Sequence, residues 1–502
     1  MRVLLAQAVS PIVNTSPPLG LGYLGAVLER AGHEVLILDG GAPYAEFTTE
    51  SMADEMAAWR PDLVGLTLTV SFATHTYRLI SQIRRRMDVP IIVGGAHATI
   101  LPEEPLRFGA DMVLRGEGEE GILEIIECLE GKRGAEEILG LSYIGPDGKP
   151  VHNPPRPLIK DLDAIPFPAK HLFIKEHYYR EPDDSARFGN IITSRGCPFA
   201  CTYCCNLMYG RRWRARSPRN VVEEIKRLME EYGTRKFNWV DDAATINQKR
   251  MMEICQLIMD EKLDISWTCI TRLNAISEKL LRAMKGAGCV GITYGIESGN
   301  PETLKRIRKG ITVEQAERAV KLTHQIGIEC SVNFMYGFPW ETPKDIRMTT
   351  DFIKKIGPYV TYIQPGGILA PLPATQIYEE YKDRYKFEGW WLREHDERSI
   401  RTETDEPLFQ RIFFDYYPLE QNWFNYPPEV VKEIERAATV VGRHNLLYHA
   451  GKLTSNPLLK RVIREMIYLL VLLSRLLYRF SPELSRRFSK PMIRFAERYH
   501  GK

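Results

Sequence analysis

Apolar runs alternate with helical spacings along the first 145 residues. RVLLAQAV, HEVLILD, PDLVGLTLT, PIIVGGAH and DMVLRGEG are short and mostly apolar, as strands buried on both faces are. LGLGYLGAVLERAG carries a helical spacing and stops at Gly32. Strands linked by helical crossovers predict an α/β fold with a doubly wound parallel sheet. Ligands of such sheets sit at the C-terminal strand ends. Those ends hold Pro18 and Gly20, Asp39–Gly41, Thr67 to Ser71, Gly94, Gly95 and His97, and Arg115, Gly116 and Glu117. Glycine at these places lets a ligand approach the backbone closely. No G-x-G-x-x-G follows the first strand, which argues against a nicotinamide cofactor. His97 is open between a metal ligand and a histidine packed in its loop.

Residues 146–185 read as a linker, and a second series of strand–helix units occupies 186–380. FNWVDD ends in Asp241 and Asp242, SWTCITR in Arg272, and GITYGIESG holds Glu297. ECSVNFMYGFP and YIQPGGILAPLP follow. In β/α barrels the functional residues gather at such C-terminal strand ends. Residues 381–502 are expected to be mostly helical. An aromatic-rich stretch opens them, with Trp390, Trp391, Phe413, Phe414, Tyr416, Tyr417, Trp423, Phe424 and Tyr426. It reads either as the lining of a pocket for a flat or greasy molecule or as a small core.

Composition narrows the class. The 502 residues are 44% hydrophobic and 26% charged, enough for about three globular domains and unlike disordered, collagenous or coiled-coil chains. A net charge of +3 gives no whole-protein argument for nucleic acid. The charge is unevenly placed. From Lys460 to Lys502 there are eleven Lys and Arg against three Asp and Glu, a local +8. The apolar run Met466–Leu473 is far short of the ~20 residues a transmembrane helix needs. The tail therefore reads as basic amphipathic helices, either in peripheral contact with an anionic membrane surface or docked on the core with a solvated basic face. The N-terminal MRVLLAQAVSPIV has no signal-peptide pattern. Nine cysteines, partly clustered, fit a reducing compartment, so a cytoplasmic protein is expected, peripheral to a membrane at most.

Residues 191–205 read IITSRGCPFACTYCC, placing Cys197, Cys201 and Cys204 at C-x3-C-x2-C spacing. Thiolates suit iron–sulfur clusters or zinc. Structural zinc takes four protein ligands, whereas three cysteines on a cluster leave one iron open for chemistry. Cys205 is expected to point away from the cluster as a packed thiol. Cys128, Cys255, Cys269, Cys289 and Cys330 read as small buried hydrophobes.

The cysteine spacing with its C-x-Y-C ending, followed by β/α units, resembles the radical S-adenosylmethionine superfamily. S-P-P-L-G-L-G-Y-L, the G-G-x-H-A-T loop and R-G-E-G-E together resemble the cobalamin-binding domain fused to many of those enzymes. The resemblance covers residues 1–145 and 186–380. It implies a partial six-unit barrel and three cofactors: a [4Fe–4S] cluster on Cys197, Cys201 and Cys204, S-adenosylmethionine and cobalamin. It also implies roles. Tyr203 would lie beside the adenine, and Asp241 and Asp242 would hold the methionine amino group, although V-D-D stands where G-G-E is usual. Glu297 would bind the ribose hydroxyls, and Gly337 and Pro339 would form a turn near the adenine. Arg272 would touch the methionine carboxylate or make a rim salt bridge. The D-x-H-x-x-G motif is absent, so no histidine from it would sit below cobalt.

The chemistry implied is a 5′-deoxyadenosyl radical acting on an unactivated carbon. The outcome would be C-methylation, with radical cyclisation or C–C bond formation as the alternative. A hydrophobic substrate (lipid, isoprenoid or tetrapyrrole) and an electron donor such as ferredoxin or flavodoxin are the expected partners.

Overall fold

The computed structural model describes residues 1–9, 13–364, 367–392, 422–453, 456–481, 483–485 and 487–491. Five apolar runs become the parallel strands β1 (Arg2–Gln7), β2 (Glu34–Asp39), β3 (Leu63–Thr67), β4 (Ile91–Gly94) and β5 (Met112–Leu114). Their order is β2-β1-β3-β4-β5, so the chain reverses direction of winding between β1 and β3. Such switch points open a crevice at the C-terminal strand ends. Helices Leu19–Arg30, Thr49–Trp59 and Ala73–Arg84 make the crossovers. Val3, Leu4, Leu63, Val64, Ile91 and Val93 are fully buried because both faces of the sheet are covered.

The sheet runs on past residue 145. β6 (Leu141–Ile144) and β7 (Pro150–His152) add antiparallel to β5. Asp147-Gly148, with Gly148 at φ +76°, makes the turn between them. The segment up to 185 is not a solvated linker either. Phe173 and Tyr178 are buried in the core under the first sheet, and Phe173 bridges to Ile37 of β2.

The second sheet is six-stranded and all parallel. It comprises β8 (Asn190–Ile191), β11 (Lys236–Trp239), β12 (Ser266–Thr271), β13 (Cys289–Glu297), β14 (Glu329–Phe334) and β15 (Tyr362–Gln364), in that spatial order. This is the expected partial barrel. Two short strands, β9 (Ser194–Arg195) and β10 (Arg214–Ala215), pair antiparallel beside its mouth.

Helix Pro428–Leu453 covers the open edge of the barrel. Its Asn445 donates from Nδ2 to the Ile363 carbonyl (2.6 Å) and accepts from the Ile363 N–H (3.0 Å), so one side chain stands in for a neighbouring strand. Helix Pro457–Phe480 follows and packs on it. Among the described residues no helix is long and apolar enough to cross a membrane.

The aromatic stretch splits. Phe413, Phe414, Tyr416 and Tyr417 lie outside the described residues. The others pack into one cluster, with Trp390 4.8 Å from Trp423 and Phe424 6.0 Å from Tyr426, centroid to centroid.

Candidate functional site

Two cavities open along the C-terminal strand ends, where the first sheet faces the barrel mouth. The smaller, about 190 Å³, lies against the first sheet. Gly20, Thr67, Gly94, Gly95, Gly116 and Glu117 line it, together with apolar side chains such as Leu66 and Ile92. The larger, about 560 Å³, is shared between the domains. Thr69 and His97 reach it from the first domain, and Cys197, Cys201, Cys204, Asp242, Arg272 and Glu297 from the barrel.

The cysteine loop is held from three sides. Gly196 stands at φ +88°, where a Cβ would collide with the Arg212 carbonyl oxygen, so only glycine makes the turn into Cys197. Its N–H donates to Asp242 Oδ2 (3.1 Å). The Thr202 N–H donates to the Ile307 carbonyl (3.1 Å), and Asn206 Nδ2 to the Phe199 carbonyl (2.7 Å). Arg272 stacks on the Phe199 ring, 3.7 Å from its centroid. It donates to the Lys309 carbonyl and points one nitrogen at Cys201 Sγ (3.5 Å).

These contacts shape the thiols. The Cys204 thiol donates to Cys201, and Lys309 and Arg272 face the same sulfur, so Cys201 is pulled down to about 5. Cys204, the other half of the shared proton, moves up. The hydrogen bond from Cys204 is the main cause, with the two cations adding to it, and a loop already favouring one thiolate suits a metal. Cys205 does not turn away. The Cys204 N–H bonds back to the Cys201 carbonyl (3.1 Å), curling the loop, and Cys205 lines the larger cavity too.

The two adjacent aspartates part company. Asp241 is fully buried and accepts from the Thr193 N–H (3.1 Å) and Oγ1 (2.9 Å), bracing the strand that leads to the cluster loop. Asp242 faces the cavity, and burial raises its pKa. Consecutive residues leaving a strand project to opposite sides, so the pair could not both reach a ligand.

Glu297 sits at φ +74°, where the β13–β14 register shifts, and accepts from Lys309 Nζ (2.8 Å). The same ammonium donates to Tyr203 OH (3.1 Å). Lys309 thus joins two of the expected residues and is itself buried. Its sequence context, R-I-R-K-G, carries no pattern that singles it out.

Several expected residues are taken up by the protein's own contacts or lie behind the cavity walls. Arg115 donates to the Gly140 and Asn153 carbonyls and holds the hairpin. Gly337, at φ +78°, is wedged between Glu341 and Tyr426, whose OH donates to its carbonyl (2.5 Å). Pro18, Ser71, Asp241 and Pro339 line neither cavity. Glu117 borders the smaller cavity, yet its carboxylate is taken by Arg195 (2.7 Å) and Arg214 (2.8 Å). His97 is buried and donates from Nε2 to Glu104 (2.9 Å), which also accepts from Tyr77 and Trp391. Burial opposes charge on Glu104, but these three donors outweigh it and lower its pKa.

Comparison with known proteins decides between readings of this geometry. The family model described as the Radical SAM superfamily matches residues 191–353, and the B12 binding domain matches residues 8–126. An uncharacterised methyltransferase of Pyrococcus horikoshii is 39% identical over 390 residues, 76% of this chain and 83% of that protein. The chain belongs to the cobalamin-binding radical S-adenosylmethionine enzymes. The anaerobic magnesium-protoporphyrin IX monomethyl ester cyclase of Rubrivivax gelatinosus is 27% identical over 384 residues, 74% of this chain and 68% of that protein. The fold matches the radical enzyme OxsB solved with aqua-cobalamin and S-adenosylmethionine, with TM-score 0.65, 18% identity, and 99% of this chain and 76% of that one covered.

The family's cofactors are a [4Fe–4S] cluster, S-adenosylmethionine and cobalamin, and the residues present fit all three. Among the described residues, no three His, Cys, Asp or Glu side chains converge as they would on a single metal ion. Cys197, Cys201 and Cys204 nevertheless all line the larger cavity, and thiolates are the ligands that an iron–sulfur cluster takes. Asn333 Oδ1 is buried on the same wall with no hydrogen-bond partner among the described residues, an acceptor suited to the polar groups of a bound ligand. In the smaller cavity a Cβ on Gly20 or Gly116 would meet nothing within 4 Å, so both glycines leave room against bare backbone. That is the surface a bulky, amide-rimmed cofactor needs.

Proposed function

We propose that the protein is a cobalamin-dependent radical C-methyltransferase acting on an unactivated carbon of a hydrophobic substrate. The observation that carries this reading is the larger cavity, where the cluster loop faces the cobalamin domain across a space with apolar walls. Val70, Ile100, Ile270 and Leu372 supply that apolar surface. Its size is within the usual range for a small-molecule site.

When bound, the cluster with S-adenosylmethionine supplies a radical able to take hydrogen from an unactivated carbon, and cobalamin supplies a methyl group. The chain's own residues bind, orient and shield. Cys197, Cys201 and Cys204 would hold the cluster, and Arg272 points a guanidinium nitrogen at Cys201 Sγ (3.5 Å). Asp242 offers a carboxylate suited to the methionine ammonium. Glu297, neutralised by Lys309, offers acceptors for ribose hydroxyls without leaving a bare buried charge. The apolar walls exclude water that would quench a radical.

The Pyrococcus relative is named a methyltransferase and the Rubrivivax relative acts on a tetrapyrrole, which supports methyl transfer and a hydrophobic substrate. The same Rubrivivax likeness favours a second reading, cyclisation without methyl transfer. Product analysis separates them. Methylation yields 5′-deoxyadenosine and S-adenosylhomocysteine in equal amounts, whereas cyclisation yields the first without the second.

A further inference from the structure

Among the described residues, helix Pro457–Phe480 leaves an apolar stripe uncovered. One face is used: Val471 and Ser474 are fully buried, and Ser474 bonds to Ser485 and Ser489 as the chain folds back. The opposite face carries Leu458, Val462, Met466, Leu469, Leu473, Leu476 and Phe480, between 42% and 81% exposed. Steps of three and four residues at about 100° each place these on one side of the helix. A contiguous apolar strip is rare on the surface of a soluble domain and marks something that covers it.

The charge around the stripe says what that is. Lys460, Arg461 and Arg464 project away from the stripe on the same helix, and residues 460–502 carry eleven basic and three acidic side chains. Glu465, the acid nearest the stripe, is already paired with Arg443 (3.0 Å) and with Arg464. A second copy docking through this face would bring two strongly positive segments together. An anionic lipid surface satisfies both features, taking the stripe among its acyl chains and the basic groups among its headgroups. The polar breaks that keep the helix from spanning a bilayer are those that suit it to lie flat.

We infer that helix Pro457–Phe480 lies in the interface of an anionic membrane, with Leu469, Leu473 and Leu476 at the centre of the inserted face. The inference stands on this helix alone and not on the reaction assigned to the cavities. The full-length protein is sedimented with phosphatidylcholine vesicles and with vesicles that also contain phosphatidylglycerol. It is expected to pellet with the mixed vesicles about tenfold more than with the neutral ones, and to be released by high salt. L469E/L473E/L476E is expected to abolish pelleting with far-UV circular dichroism and iron content unchanged. Absence of pelleting, or equal pelleting by the triple variant, overturns the inference. So does a stable dimer in light scattering that the triple variant converts to monomer, since the stripe would then be a contact between copies. Neither substrate nor S-adenosylmethionine enters the assay, so its outcome is independent of the proposed reaction.

Discussion

Arg195 reaches from the strand before the cluster loop to Glu117 of the first domain, 2.7 Å away, and to Glu119, 2.5 Å away. Cys197 lies two residues further on. Burial works against charge on Arg195, but the two carboxylates outweigh it and its pKa rises. Arg214, across the short β9–β10 pair, shares Glu117, so two cations and two anions interlock the domains. This cluster fixes the cysteine loop relative to the cobalamin-binding domain. Removing one member strands its partner in a dry interface, at a cost of about 3–5 kcal/mol. Arg195→Ala is expected to lower the unfolding free energy of the apoprotein in urea titration by that amount, seen as a lower midpoint, and to lower the iron retained after reconstitution. An unchanged midpoint would show that the pair is solvated.

The cluster assignment separates neighbouring cysteines. Substituting Cys197, Cys201 or Cys204 by Ala is expected to remove the visible absorption of the reconstituted cluster. Cys205→Ala is expected to keep it, although Cys205 lines the same cavity. Loss of the chromophore in Cys205→Ala would place a fourth thiol on the cluster and close the open iron.

Much of this was legible in the chain, for identifiable reasons. The five parallel strands of the first sheet are continuous apolar runs because both faces are buried. The cysteine loop is legible because ligand spacing is local. Contacts made across the fold are not. Glu117 looks like part of a ligand loop, and only the approach of Arg195 from 78 positions away shows it as an ion-pair partner. Lys309 joins Tyr203 and Glu297 by a contact that no spacing encodes. Asp241 and Asp242 are chemically identical, and only the direction of each side chain parts brace from cavity wall. The β6–β7 hairpin did carry a signal in its Asp147-Gly148 turn, outweighed there by the brevity of its strands.

Arg272 provides a test of thiol tuning before any metal is added. A cation beside a thiolate favours the charged form, so removing it raises the pKa. In the apoprotein, alkylation of Cys201 followed by peptide mass spectrometry is expected to be half-maximal well below the ordinary thiol range. Arg272→Gln is expected to move that midpoint upward and slow the reaction at neutral pH, with Arg272→Lys between. Superimposable profiles would remove Arg272 from this role.

Glu341 gives a pH signature. Burial pushes its carboxyl up from 4.5 to about 7, although the Phe338 and Gly337 N–H groups donate to it. A raised folded pKa means the folded state holds the proton more tightly. The stabilisation is complete below about 4.5 and is lost as pH rises through about 7, about 3 kcal/mol in all. Glu341→Gln keeps an acceptor for both N–H groups and has nothing to ionise. Its stability advantage over the parent in urea titrations is expected to grow from pH 5 to pH 8. A constant difference across that range would refute the assignment.

The proposed function puts one substrate between the cluster loop and the cobalamin-binding face. It is tested most directly by incubating the protein, reconstituted anaerobically with iron, sulfide and cobalamin, with lipid extract, a reductant and S-adenosylmethionine deuterated in its methyl group. Mass spectrometry of the extract is expected to show a hydrophobic product gaining one methyl group with all three deuterons, and none with Cys201→Ala. A product that has lost two hydrogens and carries no label, or label transfer that survives Cys201→Ala, would contradict it.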